Sequence, residues 1–117
     1  MSAADYRTES TRLALTRSTT SSGVIYLTVA GEVDIGTVNH LRDRVMQVFR
    51  EPGVTALLLD FGPLRFLDSS GIATLIAAHR AAQEQGVRFA VTNCQGTVRH
   101  VLEVTGVYEV LATDGGA

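Results

Sequence analysis

The chain has too little cysteine, too few long apolar runs and too little clustered positive charge for several broad classes of protein. Its one cysteine, Cys94, excludes an internal disulfide framework and suits a reducing compartment. Residues 1–10 are polar and lack the apolar segment of a signal peptide, and no apolar run approaches the roughly 18 residues of a membrane span. The ten basic residues are scattered and the net charge is −2, which argues against a nucleic-acid groove. We therefore expect a cytoplasmic protein without direct membrane insertion or nucleic-acid binding.

The motifs of common catalytic and nucleotide-binding sites are missing as well. The chain contains neither a Gly-x-x-x-x-Gly-Lys loop nor a Gly-x-Gly-x-x-Gly fingerprint, so the usual phosphate cradles are absent. His40, His79 and His100 fall in three separate helical segments without the spacing of metal ligands. No serine stands in a Gly-x-Ser-x-Gly elbow, and the spacing singles out no histidine as its partner. We therefore expect no enzymatic activity, no metal and no cofactor.

Two short elements that resemble functional ones fit structural roles better. Asp60-Phe61-Gly62 repeats the metal-binding tripeptide of protein kinases, but the chain has neither their phosphate loop nor a lysine in the required context. We therefore expect a strand end and a turn there. Cys94 follows an apolar stretch at the end of a predicted strand. The burial habits of cysteine favour a small, half-buried packing residue over a reactive thiol.

The length and composition suit a single domain. The chain has 117 residues, of which 45% are hydrophobic and 19% charged. This is enough apolar sequence for a hydrophobic core that folds without disulfide or metal cross-links. We assign residues 11–112 to this domain. Residues 1–10 and 113–117 are polar and aperiodic, so we expect them to form disordered tails.

The apolar periodicity predicts an α/β fold. Leu13 and Leu15 alternate with polar residues, residues 18–23 supply a turn, and residues 24–30 resume as a strand, which together indicate an antiparallel hairpin. Three segments with helical spacing follow, each ended by a glycine and then by a β-rich run: 55–61, 87–92 and 107–111. The order β-β-α-β-α-β-α-β predicts a mixed sheet of four or five strands, with the hairpin at its edge and helical crossovers between parallel strands.

The second of these helices is rich in alanine. Its outer positions Ala73, Ala77 and Ala81 would form a smooth, weakly charged face. Such a face is typical of a close-packed interface, but alanine is also the best helix former, and the sequence leaves both explanations open.

The segment Phe66-Leu67-Asp68-Ser69-Ser70-Gly71 is the most informative part of the chain. It joins an apolar strand to the alanine-rich helix and places serines at the helix start. A helix N-terminus has unpaired N–H groups and a positive dipole end, so a phosphoryl group there would gain hydrogen bonds. Asp and Ser are also preferred N-cap residues, and local chemistry alone favours a cap over a phosphorylation site.

Three segments together carry a resemblance to a known family. They are Gly31-Glu32-Val33-Asp34, the stretch from Leu59-Asp60 to Phe66-Leu67-Asp68-Ser69-Ser70-Gly71, and Val98-Arg99-His100-Val101-Leu102-Glu103-Val104-Thr105-Gly106-Val107. In these segments the chain resembles the STAS domain family, and more narrowly the bacterial anti-sigma factor antagonists, which regulate transcription by partner switching. The resemblance covers residues 13–111, and the fold that it implies agrees with the predicted order of strands and helices.

The resemblance implies that Ser69 is the phosphorylated residue. The kinase would be the partner itself, an anti-sigma factor with serine kinase activity from the histidine-kinase-like ATPase superfamily. The unphosphorylated chain would bind this partner and free the sigma factor. Phosphorylation would break the complex, and a PP2C-type phosphatase would restore it. The chain would then be a substrate and a ligand, with no catalytic role.

The resemblance also implies a partner-binding site around Ser69, formed by Asp34, Asp68, Ser69, Ser70 and Gly71. Asp34 would begin a loop at the partner surface, although a cap on the first helix explains it equally well. Asp68 would position the acceptor hydroxyl or contact the kinase, again with a helix cap as the alternative. Ser70 would offer a second hydroxyl contact, and Gly71 would permit close backbone packing.

Two other functions stay open. The family also includes subunits that regulate a membrane transporter or a lipid-trafficking complex without phosphorylation, and the identity of the partner would distinguish them. A small nucleotide-binding enzyme is disfavoured by the missing phosphate loops, and turnover of ATP or GTP by the purified protein would test it.

Overall fold

The structure, a computed structural model, describes residues 12–20 and 22–112. The two predicted tails, 1–10 and 113–117, lie outside the described residues, as does residue 11. In chain order the elements are β1 (Leu13–Thr19), β2 (Val24–Val33), α1 (Val38–Phe49), β3 (Ala56–Asp60), β4 (Leu64–Leu67), α2 (Ser69–Gln85), β5 (Arg88–Thr92), α3 (Gly96–Val104) and α4 (Val107–Leu111).

The five strands form one mixed sheet in which β2 has three partners. Strands β1 and β2 pair as an antiparallel hairpin, and β2, β3 and β5 follow one another in parallel. The short strand β4 lies outside this order and pairs in parallel with β2. The predicted mixed sheet with an antiparallel N-terminal hairpin and helical crossovers is therefore confirmed.

Strand β2 changes its parallel partner along its length. Its residues 24–28 pair with β3, and its residues 31–33 pair with β4. The register shifts between Gly31 and Glu32, where the backbone of Gly31 has a φ of +112°. A Cβ atom on Gly31 would come within 2.1 Å of the backbone oxygen of Arg12, so the close approach of β1 requires glycine here. This bulge lets β4 run beside the end of β2.

The helices cover the apolar strands and complete the core. The central strand β3 buries Leu57 and Leu59 completely, as expected for an interior parallel strand. Helix α1 turns a face that includes Leu41, Val45 and Val48 inward and packs against α2. Helix α3 packs against β4 and α4. Helix α2 contacts β4, β5 and both α1 and α4.

Two predicted elements differ from the structure. The last predicted strand, 107–111, is the helix α4: Val107 and Leu111 are buried one helical turn apart, while Glu109 and Val110 are exposed. A five-residue apolar run does not distinguish the two periods, and only the single bridge from Val91 to Ala112 continues the sheet there. The predicted order also had no separate strand at β4, whose burial pattern does not alternate because only its first and last residues are buried.

Replacing Gly31 by alanine should destabilise the domain strongly. Gly86, which caps α2 with a φ of +72°, has no atom within 4 Å of its Cβ position, so Gly86→Ala isolates the cost of the left-handed backbone. We expect Gly86→Ala to lower the free energy of unfolding by about 1 kcal/mol and Gly31→Ala by at least 1 to 3 kcal/mol more, roughly the cost of overpacking. Urea unfolding measures both. Equal losses would mean that the contact with β1 relaxes freely.

Candidate functional site

The parallel pairing of β2 with β4 brings Asp34 and Asp68 to the same edge of the sheet. Val33, the last residue of β2, pairs with Leu67, the last residue of β4, and each aspartate follows directly. The backbone N–H of Asp68 donates to the carbonyl oxygen of Val33 over 3.2 Å. Two residues that are far apart in the sequence therefore leave the sheet side by side.

Asp68 is the N-cap of helix α2. Its backbone is extended, with φ −109° and ψ −170°, and its Oδ1 accepts three hydrogen bonds. They come from the backbone N–H of Ser70 at 2.9 Å, the hydroxyl of Ser70 at 2.5 Å and the backbone N–H of Gly71 at 3.3 Å. The hydroxyl of Ser70 is the largest cause that lowers the pKa of Asp68, and the N–H groups of Gly71 and Ser70 lower it further. The carboxylate is therefore charged at neutral pH. Of the two roles considered for Asp68, a helix cap or a contact with the kinase, the structure shows the contacts of the cap.

The two adjacent serines have different surroundings. Ser69, the first residue of α2, is exposed, and its hydroxyl makes no hydrogen bond to any residue that the structure describes. Ser70 is half-buried and donates its hydroxyl proton to Asp68. Of these two hydroxyls, only that of Ser69 is thus both exposed and without a hydrogen-bond partner among the described residues.

Gly71 sets how closely α2 approaches the sheet. A Cβ atom at this position would lie 2.3 Å from Cδ1 of Leu67 and 2.8 Å from Cγ1 of Val33. Both distances are shorter than real Cβ contacts, so any side chain here would force Leu67 and Val33 to shift, and glycine lets the helix begin close against the strand ends. This agrees with the close backbone packing expected at Gly71.

Asp34 organises the loop that leads into α1. Its Oδ1 accepts the backbone N–H groups of Gly36 at 2.9 Å and Thr37 at 3.2 Å. Thr37 is buried, and its hydroxyl donates to the carbonyl oxygen of Glu32 over 2.9 Å and accepts the N–H of Asp34 at 3.0 Å. The other oxygen of Asp34 pairs with the guanidinium of Arg12. The N-cap of α1 is Thr37, without a side-chain capping bond, so Asp34 orders the loop before the helix and does not cap it. Its part in a partner surface stays a prediction.

The charged residues around Asp34 were not identified from the sequence. Arg12 lies 3.7 Å from a carboxylate oxygen of Glu32, and Arg65 lies 3.9 Å from the other. Arg12 belongs to the segment before β1 and Arg65 to β4, so only the strand pairing brings them together. No local motif signals such a cluster.

Two large apolar side chains are exposed beside the aspartates. Ile35, in the loop after β2, is 83% exposed, and Phe66, two residues before Asp68, is 43% exposed. On α2 the predicted outer positions Ala73 and Ala77 are exposed and Ala81 is half-buried. We call Ile35, Phe66, Asp34, Asp68 and Ser69 together the switch surface. It combines apolar contact area with negative charge.

Two further candidates, Asp60 and Cys94, line a polar cleft. Asp60 Oδ1 accepts the N–H of Gly62 at 2.9 Å and the side-chain amide of Asn93 at 3.1 Å, which fits the predicted strand end and turn. The polar cleft, of about 420 Å³, opens beside them, and Cys94 is buried at its edge. Among residues 12–20 and 22–112, no group of three metal-ligating side chains occurs and no helix is long and apolar enough to cross a membrane.

Comparison with known proteins gives one family. The family model described as STAS domain matches residues 16–114. A curated relative is the anti-sigma F factor antagonist of Paenibacillus polymyxa, which is 22% identical over 89 residues that cover 76% of each chain.

Solved structures share the fold. An anti-sigma factor antagonist from Mycobacterium paratuberculosis has a TM-score of 0.75 at 24% identity, over 85% of this chain and 82% of that one. The unphosphorylated anti-sigma factor antagonist SpoIIAA has a TM-score of 0.73 at 24% identity, over 88% and 91%. The murine Solute Carrier 26 family member A9 anion transporter has a TM-score of 0.67 at 21% identity, over 79% of this chain but 15% of the transporter.

Removing the carboxylate of Asp68 should destabilise the domain in a pH-dependent way. At neutral pH we expect Asp68→Ala to lower the free energy of unfolding by about 1 to 2 kcal/mol and Asp68→Asn, which keeps a capping oxygen, by less. Because folding lowers the pKa of Asp68, the ionised cap adds stability above the unfolded value of roughly 3.9 and loses it as pH falls through the folded pKa.

The check is urea unfolding of both variants and the wild type at pH 7 and near pH 2.5. The gap between wild type and Asp68→Asn should narrow on acidification. Unchanged stability in Asp68→Ala would instead favour a contact with a kinase as the main role of Asp68.

Adding a methyl group at Gly71 should cost stability despite the better helix propensity of alanine. The gain in propensity is about 1 kcal/mol, and the overlap with Leu67 and Val33 should turn it into a net loss of about 1 to 3 kcal/mol. Leu67→Ala removes part of the overlap at the cost of its own cavity. In a double-mutant cycle followed by urea unfolding, the two losses should be less than additive. Strict additivity would mean that Leu67 does not restrict Gly71.

Proposed function

The chain belongs to the STAS domain family, and from this premise we propose that it acts as an anti-sigma factor antagonist whose affinity for its partner is set by phosphorylation of Ser69. The observation that carries the proposal is the exposed hydroxyl of Ser69, which has no hydrogen-bond partner among the described residues and stands on the first residue of α2, next to the charged Asp68. The relatives named as anti-sigma factor antagonists support the same reading.

The proposed partner is an anti-sigma factor that is also an ATP-dependent serine kinase. In the transfer, Oγ of Ser69 forms a bond to the γ-phosphorus of ATP, the bond from that phosphorus to the bridging oxygen of ADP breaks, and the hydroxyl proton leaves to a base of the kinase. A PP2C-type phosphatase reverses the modification by hydrolysis, with water as the second reactant and inorganic phosphate as the product. Both reactions take place in the cytoplasm.

In this proposal the switch works because phosphorylation adds charge to a surface that loses its bound water when the complex forms. A phosphoserine carries about −1.5 to −2 charges at neutral pH, and at a packed interface it brings desolvation and repulsion. Asp68 and Asp34 already place two carboxylates on the switch surface. Ile35 and Phe66 supply the exposed apolar area that a complex can bury. Phosphorylation of Ser69 therefore weakens the complex and leaves the domain folded.

Transporters are the second class that carries this fold. The anion transporter above and a sulfate transporter family protein from Wolinella succinogenes contain it at 21% and 16% identity. At these identities the likeness concerns the fold, and the switch surface supplies no transporter-specific feature. A regulatory subunit of a transporter or lipid-trafficking complex would bind its partner independently of Ser69.

The partner is identified by affinity capture from host lysate with wild-type and Ser69→Glu baits, followed by mass spectrometry. Capture of a histidine-kinase-like ATPase by the wild type alone is the expected result. Capture of transporter subunits by both baits would overturn the proposal in favour of the second class.

The binding prediction is then made quantitative with the purified ATPase. Ser69→Ala should bind like the unphosphorylated wild type and resist phosphorylation. Ser69→Glu should weaken binding about 10- to 100-fold, because like charges at an interface cost several kcal/mol. Thr97→Glu is the matched control: it puts the same charge on an exposed residue in the first turn of α3 and should change affinity little. Titration calorimetry measures the affinities, and circular dichroism confirms that each variant is folded. Equal affinities for Ser69→Ala and Ser69→Glu would contradict the switch.

A further inference from the structure

The start of α2 already holds an anion that belongs to the chain itself. A helix N-terminus attracts negative charge through its unpaired N–H groups and its dipole, so a phosphate on Ser69 would be expected to turn inward and take them. In the structure the carboxylate of Asp68 takes the N–H groups of Ser70 and Gly71, and the N–H of Ile72 bonds to the carbonyl oxygen of Asp68 over 3.1 Å. Two of the N–H groups that a phosphate could bind are therefore occupied by Asp68 before any phosphate arrives.

We propose that Ser70 is a positioning residue that locks Asp68 onto the start of α2 and so keeps a phosphoryl group on Ser69 outside the helix terminus, displayed toward solvent and partner. The proposal rests on the proposed phosphorylation of Ser69 and adds its regulation. Ser70 itself is no acceptor, because it is half-buried and its hydroxyl proton is already donated to Asp68.

The hydroxyl of Ser70 decides which anion occupies the helix start. It forms the shortest of the three hydrogen bonds to Asp68, at 2.5 Å. Hydrogen bonds to a charged acceptor are stronger than neutral ones, so the loss of this bond leaves Asp68 on two backbone N–H groups only. A phosphate has more charge and more acceptor oxygens than a carboxylate and could then displace it.

The position of the phosphate determines how well the switch works. A phosphate turned inward would be partly neutralised by the helix dipole and would release Asp68, so the charge presented to a partner would fall. A phosphate turned outward adds its charge to that of Asp68 at the switch surface. It also stays accessible to the phosphatase that must remove it.

The test uses full-length protein with phosphoserine incorporated at position 69 during synthesis, so that no kinase is needed. Nuclear magnetic resonance detects coupling across an N–H···O–P hydrogen bond between the phosphorus and the backbone nitrogens of Ser70 and Gly71. In the wild-type background we expect no such coupling. In Ser70→Ala we expect coupling to appear, together with downfield shifts of both amide protons and a several-fold slower dephosphorylation by a general serine phosphatase. Ser70→Thr keeps the hydroxyl and should behave like the wild type.

Each outcome decides the proposal. Coupling in the wild type would overturn it, because the phosphate would then occupy the helix start despite Asp68. Absence of coupling in Ser70→Ala would also overturn it, because Asp68 would hold its place without Ser70. These results are independent of the proposed function, which fails instead if the wild-type bait captures no histidine-kinase-like ATPase or if the captured ATPase does not phosphorylate Ser69.

Discussion

The pairing of one strand with two successive parallel partners is the constraint from which the rest of the site follows. Strand β2 can accept β4 beyond the end of β3 only because its register shifts at Gly31, where β1 approaches too closely for any side chain. The carboxyl ends of β2 and β4 then lie together, as ligand and switch sites commonly do in sheets with parallel strands. The backbone pairing of the strands alone therefore brings the loop that contains Asp34 and the helix cap at Asp68 to the same edge of the sheet.

The electrostatics of this edge differ from those of an open helix terminus. An uncapped helix start would stabilise an added phosphate and so absorb part of its charge. Here the carboxylate of Asp68 already accepts the N–H groups of Ser70 and Gly71, and Arg12 is paired with Asp34 and lies close to Glu32. An added phosphate would therefore lie near carboxylates that already accept hydrogen bonds and near an arginine, Arg12, that is already paired with Asp34. We therefore expect an added negative charge at this surface to be little compensated, as the proposed switch requires.

Sequence periodicity was enough for the hairpin, the mixed sheet and the helices α1 to α3, because each has a clear apolar pattern. It failed at β4 and α4, whose four and five residues are too few to define a period. The cap at Asp68 follows from local chemistry and could be predicted. The pairing of Arg12 with Asp34 could not, since 22 residues separate them and only the hairpin and its bulge join them. The different exposure of Ser69 and Ser70 likewise depends on the direction of the helix against the sheet.

Each of the four residues from Asp68 to Gly71 has a different role at the start of α2, and each role depends on the position of the residue in the sequence. Asp68 fixes the helix start and supplies charge, Ser69 projects outward, Ser70 holds Asp68, and Gly71 lets the helix meet the strands. The cap must precede the helix, and its oxygen reaches only the N–H groups two and three residues on. Ser69, which lies between the capping Asp68 and Ser70, is therefore the residue whose side chain makes no hydrogen bond to the described part of the structure. The proposed modification of a hydroxyl at this position would therefore break no hydrogen bond of that hydroxyl that the structure shows.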